Sequence, residues 1–129
     1  MRAEMERRAA LLALILGSCA SPQPNYPQQG PPRELAGRSA GAPEHCVLIS
    51  PSESLRVSDS DRHTLIYDSG RTIWANHLGP QCGFGSDDIL VTEPSGSYYC
   101  RGDLVRSFDR LSRIPGPTCV LGDFVPYTR

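Results

Sequence analysis

The stretch from His63 to Leu78 constrains this chain more than any other. Two runs rich in β-branched and aromatic residues, Thr64-Leu65-Ile66-Tyr67 and Thr72-Ile73-Trp74-Ala75, flank the turn signal Asp68-Ser69-Gly70. That pattern defines a β-hairpin. Gly70 tolerates positive φ and Ser69 does not, which favours a three-residue loop over a two-residue Ser69-Gly70 loop. The longer loop pairs Tyr67 with Arg71 and Leu65 with Ile73. It sets Leu65, Tyr67, Ile73 and Ala75 on one face and Ile66, Thr72 and Trp74 on the other. Both faces carry apolar groups, so the pattern opposes a one-residue slip only weakly.

Short apolar runs punctuated by turn residues continue on both sides. Cys46-Val47-Leu48-Ile49 ends at Ser50-Pro51, and Leu55-Arg56-Val57 ends at Ser58-Asp59-Ser60-Asp61. After the hairpin come the glycine-rich stretch Gly79-Pro80-Gln81-Cys82-Gly83-Phe84-Gly85-Ser86 and the strand Ile89-Leu90-Val91-Thr92. Ser97-Tyr98-Tyr99-Cys100 follows, then a bulge or corner at Gly102-Asp103 and the strand Leu104-Val105-Arg106-Ser107-Phe108. Ile114-Pro115-Gly116-Pro117 reads as a loop, and a strand over residues 119–125 closes the fold. No long segment has helical periodicity. The expected fold is all-β, a small disulfide-bonded barrel or sandwich of about six or seven short antiparallel strands.

The N-terminal third has a different character. Arg7-Arg8, an apolar run from Ala9 to Leu16 and small residues after it read as an export signal over residues 1–18. The run is too short to span a bilayer as a helix, which takes about 20 apolar residues. Met5 offers an alternative start with a more basic leading segment. Leu16-Gly17-Ser18-Cys19 resembles the lipobox of bacterial lipoproteins, which implies that Cys19 becomes the acylated N-terminus and anchors the chain in a lipid bilayer. Several acyl chains anchor stably, at about 0.8 kcal/mol per buried methylene. Ala20, rather than Asp, after that cysteine resembles lipoproteins sorted to the outer membrane, so the expected location is the cell envelope, facing the periplasm. Residues 19–43 contain six prolines, with Gln, Gly, Ser and Ala, and read as a disordered tether. The folded domain is then 44–129.

Cys46, Cys82, Cys100 and Cys119 remain in that domain. An even count in an exported chain reads as two disulfides. So small a domain has little core, and each bridge adds about 2 to 4 kcal/mol. Of the three connectivities, Cys46 with Cys119 would tie the first strand to the last, and Cys82 with Cys100 would clamp the glycine-rich loop to its neighbouring hairpin.

Several blocks together, Cys46, Thr64-Leu65-Ile66, Trp74-Ala75-Asn76-His77-Leu78, Cys82-Gly83, Cys100-Arg101-Gly102-Asp103 and Cys119-Val120-Leu121-Gly122-Asp123-Phe124, resemble a family of short uncharacterised lipoproteins of Gram-negative bacteria. The shared pattern is a cysteine frame with Asn-x-Leu before the second cysteine, Gly-Asp after the third, and Cys-x-Leu-Gly-x-Phe at the end. It implies a fold and a location, and no activity.

The chemistry the sequence excludes is broad. All thirteen basic residues are arginine, so lysine-based nucleophilic and Schiff-base chemistry is absent. The formal charge is −1, and the signal removes three arginines with two glutamates, which leaves no basic field for nucleic acid. His45, His63 and His77 lie at no metal-binding spacing, and no cofactor motif is present. Asp59 with Asp61, and Asp87 with Asp88, read as solvated turn carboxylates rather than calcium ligands. Gly83-Phe84-Gly85-Ser86 lacks the lysine and following helix of a phosphate loop. Arg101-Gly102-Asp103 matches the integrin-binding tripeptide, but a strand corner accounts for it. Cys-x-x-Cys and Gly-x-Ser-x-Gly are missing.

The remaining functional candidates are aromatic: Trp74, Tyr98, Tyr99 and Phe84, as core residues or as contacts for an envelope protein or cell-wall partner. The expected function is a non-enzymatic binding or structural module on a lipid anchor. The alternative is a periplasmic enzyme inhibitor, because Tyr98-Tyr99-Cys100 resembles the Tyr near a Cys in lysozyme-inhibitor lipoproteins.

Overall fold

A computed structural model describes residues 30–129. The expected export signal, Cys19 and residues 20–29 of the expected tether lie outside the described residues. The described chain is all-β, with ten short strands in three antiparallel sheets packed as a sandwich. The largest sheet has the order β1-β10-β5-β4-β3, from β1 (Ser39–Ala40), β10 (Phe124–Thr128), β5 (Thr72–His77), β4 (Thr64–Ser69) and β3 (Arg56–Val57). Facing it are the pair β2 (Cys46–Leu48) with β7 (Tyr98–Cys100), and the three-stranded sheet β6 (Ile89–Glu93), β8 (Leu104–Phe108) and β9 (Pro115–Val120).

One face of the large sheet packs into the main core. Leu65, Tyr67, Val57 and Phe124 from that sheet meet Val47, Tyr99, Val105 and Cys119 from the others, with Leu78, Phe84 and Leu121 from the connections. Tyr67 and Tyr99 meet edge to face with centroids 5.6 Å apart. The Tyr67 hydroxyl is buried without penalty, because it accepts from Ser50 N–H and donates to the Leu48 carbonyl.

The hairpin forms, but with a tighter turn than expected. Ser69 pairs with Thr72, Tyr67 with Trp74 and Leu65 with Asn76, leaving a two-residue Gly70-Arg71 loop. Gly70 has φ +64° and takes the strained first position alone, so Arg71 keeps a negative φ. Relative to the expected register, β4 keeps its faces and β5 exchanges its own. Trp74 joins Leu65 and Tyr67 at the main core, while Ile73 and Ala75 turn with Ile66 to the other side.

That other side is covered by residues expected to be tether. A single 3-10 turn (Arg33–Leu35) buries Leu35 against Ile66, Ile73 and Ala75, and burying such a side chain contributes about 1.5 to 3 kcal/mol. Glu34 accepts from Arg56 Nη1, Ser58 Oγ and Asp59 N–H, and Ser39–Ala40 pairs with β10. The domain therefore begins well before Glu44. Composition misled here because one apolar residue, Leu35, among prolines and glycines gives no periodicity to read.

The disulfides are Cys46–Cys100 and Cys82–Cys119, so the expected pairing is corrected. β2 lies beside β7 and sets Cys46 directly opposite Cys100, with Cα atoms 4.1 Å apart. Cys119 points from β9 into the core, where the glycine-rich loop brings Cys82 to it. Pro115-Gly116-Pro117, expected as a loop, is the start of β9 instead. β9 pairs only with β8, and an edge strand can hold proline because its outward N–H needs no partner. The expected closing strand is in turn two pieces, β9 and β10, broken at Leu121-Gly122-Asp123.

Candidate binding surface

The four aromatic candidates separate. Phe84 is 1% exposed and Tyr99 8%, and both belong to the core. Trp74 is half-buried against that core. Only Tyr98 faces solvent, at 48% exposure, directly across from Leu48 at 61%. The alternation of a three-residue strand decides this: Tyr99 points in, so Tyr98 and Cys100 point out. The outer face of β2–β7 is thus Leu48 and Tyr98 beside the Cys46–Cys100 bridge.

A second exposed apolar face lies on β6–β8–β9. Val91, Leu104 and Val120 are all exposed, and the register sets Leu104 opposite Val120 and Val91 opposite Arg106. Arg106 and Glu93 form an exposed ion pair on this face, 3.3 Å apart. Such a pair contributes at most about 1 kcal/mol. Sequence reading missed this face because Val91, Leu104 and Val120 sit in runs that also supply the core. Only the pairing register shows which members of each run point outward.

The polar residues form one local cluster. Thr64 is fully buried, and its hydroxyl lies 2.6 Å from Asp61 Oδ2 and 2.9 Å from His77 Nδ1. Asp61 Oδ1 also accepts from His63 N–H, and His63 Nδ1 lies 2.8 Å from the Cys82 carbonyl. Burial pushes the Asp61 carboxyl up, but the Thr64 hydroxyl, the His63 amide and the two imidazoles outweigh it and hold the group below its ordinary value. An acid, a hydroxyl and a histidine thus stand in line. The buried hydroxyl cannot meet a substrate, and the arrangement instead fixes the turn entering β4.

Next to it, an open groove of about 440 Å³ is lined by residues 58–62 with Phe84, Gly85 and Ser86. Gly83 packs close against this cluster, where a Cβ would lie 2.6 Å from Arg62 Nε and 3.2 Å from the His63 ring, so a larger residue would have to displace the exposed Arg62 side chain. Gly85 N–H donates to Asp88, so the glycine-rich loop closes on itself rather than around a phosphate. A further concavity of about 490 Å³ is lined by Arg38, Gly70, Arg71, Thr128 and Arg129. Arg38 Nη1 is turned to the Arg71 carbonyl at 3.0 Å and braces the N-terminal segment against the hairpin.

Arg101-Gly102-Asp103 is a turn, with Gly102 at φ +94° and Asp103 accepting from Cys100 N–H. Arg101 bonds Asp123 at 3.2 Å, and His45 Nδ1 lies 3.1 Å from the same carboxylate without hydrogen-bond alignment. Both charged members of the tripeptide are thus engaged within the fold. Among the described residues no group of three or more His, Cys, Asp or Glu side chains is placed to hold a metal ion.

Comparison of the chain with protein-family models, with curated proteins and with solved structures gave no match.

Proposed function

We propose that this chain is an envelope lipoprotein, anchored in the outer membrane through acylated Cys19, whose disulfide-framed β-domain is a non-enzymatic binding module. The observation that carries the reading is the pair of bridges, which close separations of 54 and 37 residues. Such a frame belongs to an oxidising compartment, and the signal over residues 1–18 with Leu16-Gly17-Ser18-Cys19 leads there. The likeness of the cysteine frame to short lipoproteins agrees with it. A binding role is supported by the exposed faces of Leu48 with Tyr98 and of Val91, Leu104 and Val120. The test is metabolic lipid labelling of wild type and Cys19→Ser with membrane fractionation. Label on the wild type and none on Cys19→Ser is expected. An unlabelled wild type that fractionates like Cys19→Ser would overturn the anchor.

A second reading, an inhibitor of a periplasmic enzyme of the lysozyme type, is favoured by the exposed Tyr98 beside the Cys46–Cys100 bridge. Inhibition of lysozyme by the purified protein, weakened in Tyr98→Ala, is its expected outcome. No inhibition at micromolar protein would remove it.

A further inference from the structure

We propose that the tip of the β8–β9 hairpin is a second membrane contact, a small wedge that enters the interface of an anionic lipid surface. The tip is Arg110-Leu111-Ser112-Arg113, closed by the Asp109 N–H bond to the Ile114 carbonyl. Leu111 is 92% exposed and Ile114 65%, the two most exposed large apolar side chains among the described residues. Arg110 and Arg113 flank Leu111, and Arg113 directly precedes Ile114.

What distinguishes this tip from an ordinary polar turn is its backbone. Asp109 Oδ1 accepts from the Leu111 and Ser112 amides and from Ser112 Oγ. The Asp109 carbonyl accepts from the Arg113 amide, and Ser112 Oγ from the Ile114 amide. The amides of 111–114 are therefore all satisfied inside the loop. A backbone that leaves water for a lipid interface needs this, because an unpaired amide there is costly. Arg113 sits at φ 59°, the only non-glycine with positive φ among the described residues, where glycine would be easier. The arginine's side chain brings a cation to the tip at that position. Arg110 Nε meets the Asp87 carbonyl 3.2 Å away, which orients the second cation. A protruding, internally bonded tip fits a fluid surface better than a protein groove, which would need a matching pocket.

Reach permits the contact. This inference rests on the anchor reading, in which Cys19 is held in the bilayer. The chain from Cys19 to the first described residue extends at most about 40 Å, and a domain of this size has a radius of gyration of about 13 Å, so any side of it can return to the surface.

The test uses the full chain with Leu111→Trp, in acylated and Cys19→Ser forms, mixed with phosphatidylcholine vesicles carrying brominated acyl chains, with and without phosphatidylglycerol. Trp74, the sole native tryptophan, serves in the unsubstituted chain as the internal reference. Quenching of the new tryptophan but not of Trp74 is expected, greater with phosphatidylglycerol. In the Cys19→Ser form, Arg110→Gln and Arg113→Gly should each weaken phosphatidylglycerol-dependent quenching about fivefold. Leu111 is exposed, so its substitution leaves the fold intact. An unquenched Trp at 111 in every vesicle overturns the wedge. Protection of that tryptophan in native envelopes but not in lipid vesicles overturns it in favour of a protein contact. Failure of the anchor is read separately, as a wild type that lacks lipid.

Discussion

Asn76 and Gly122 hold each other in both directions, Nδ2 donating to the Gly122 carbonyl at 2.8 Å and the Gly122 amide donating to Oδ1 at 2.9 Å. Asn76 is fully buried at the end of β5, and Gly122 lies in the turn between β9 and β10. The bond joins the two motif blocks Asn76-His77-Leu78 and Cys119-Val120-Leu121-Gly122-Asp123-Phe124. Leu78, Leu121 and Phe124 complete them as core residues. Those blocks thus mark a structural joint rather than a reactive site. Removing the side chain leaves the half-buried Gly122 amide and carbonyl without their partner and empties a fully buried position, so Asn76→Ala should cost about 1 to 3 kcal/mol. Gly122→Ala should destabilise as well, because its Cβ would lie 2.9 Å from the His77 carbonyl oxygen. Denaturant unfolding measures both, and a loss within error of zero for Asn76→Ala would remove the joint.

Non-reducing digestion should yield one peptide pair joined by Cys46–Cys100 and another by Cys82–Cys119. In the chain-entropy account, closures of this length contribute about 4 kcal/mol each. The double variants Cys46→Ala with Cys100→Ala and Cys82→Ala with Cys119→Ala should each unfold far more readily, as read by thermal melts. Peptides joining Cys46 to Cys119 would contradict the β2–β7 pairing.

The Glu34 clamp should decide whether the N-terminal segment stays docked. Glu34→Ala removes three hydrogen-bonded contacts, to Arg56, Ser58 and Asp59, at a cost of about 1 to 2 kcal/mol. Limited proteolysis should then cut within 33–41 while the rest survives. Unchanged protection would mean that Leu35 alone holds the segment.

Acid should loosen the same elements. Burial pushes the Glu34 carboxyl up, but the Asp59 and Glu34 amides, the Ser58 hydroxyl and Arg56 outweigh it and hold it below its ordinary value. Asp61 is lowered likewise, and Asp109 by the Ser112 amide and hydroxyl and the Leu111 amide. A depressed folded pKa gives stability that is fully present above the unfolded value and is lost as pH falls through the folded one. Stability should therefore hold above the ordinary carboxyl range, near pH 4.5, and fall below it. Asp61→Asn should flatten that fall, and equal acid sensitivity in wild type and variant would contradict the assignment. Asp109 is exposed, so its protonation should free the hairpin tip, visible as faster exchange of the 111–114 amides, without moving the global transition.

Much of the fold was legible in local chemistry. The β-branched runs around Asp68-Ser69-Gly70 determined a hairpin, the even count of four cysteines in so small a domain pointed to two bridges, and Gly102-Asp103 determined a corner. The hairpin and the corner depend on residues near one another in the chain, and the number of bridges depends only on a count. What only tertiary structure decided depends on residues far apart: the β5 face, the cysteine partners, the docking of Leu35 and Glu34, and the exposure of Tyr98 but not Tyr99. With apolar groups on both faces of the hairpin, the register was settled by which neighbour covered each face. The second cover came from a stretch whose composition resembles a linker. A cysteine likewise carries no information about its partner until strand order places two Cα atoms within bridging distance. Local sequence thus determines the kinds of elements, and non-local packing selects among arrangements that local pattern leaves nearly equal.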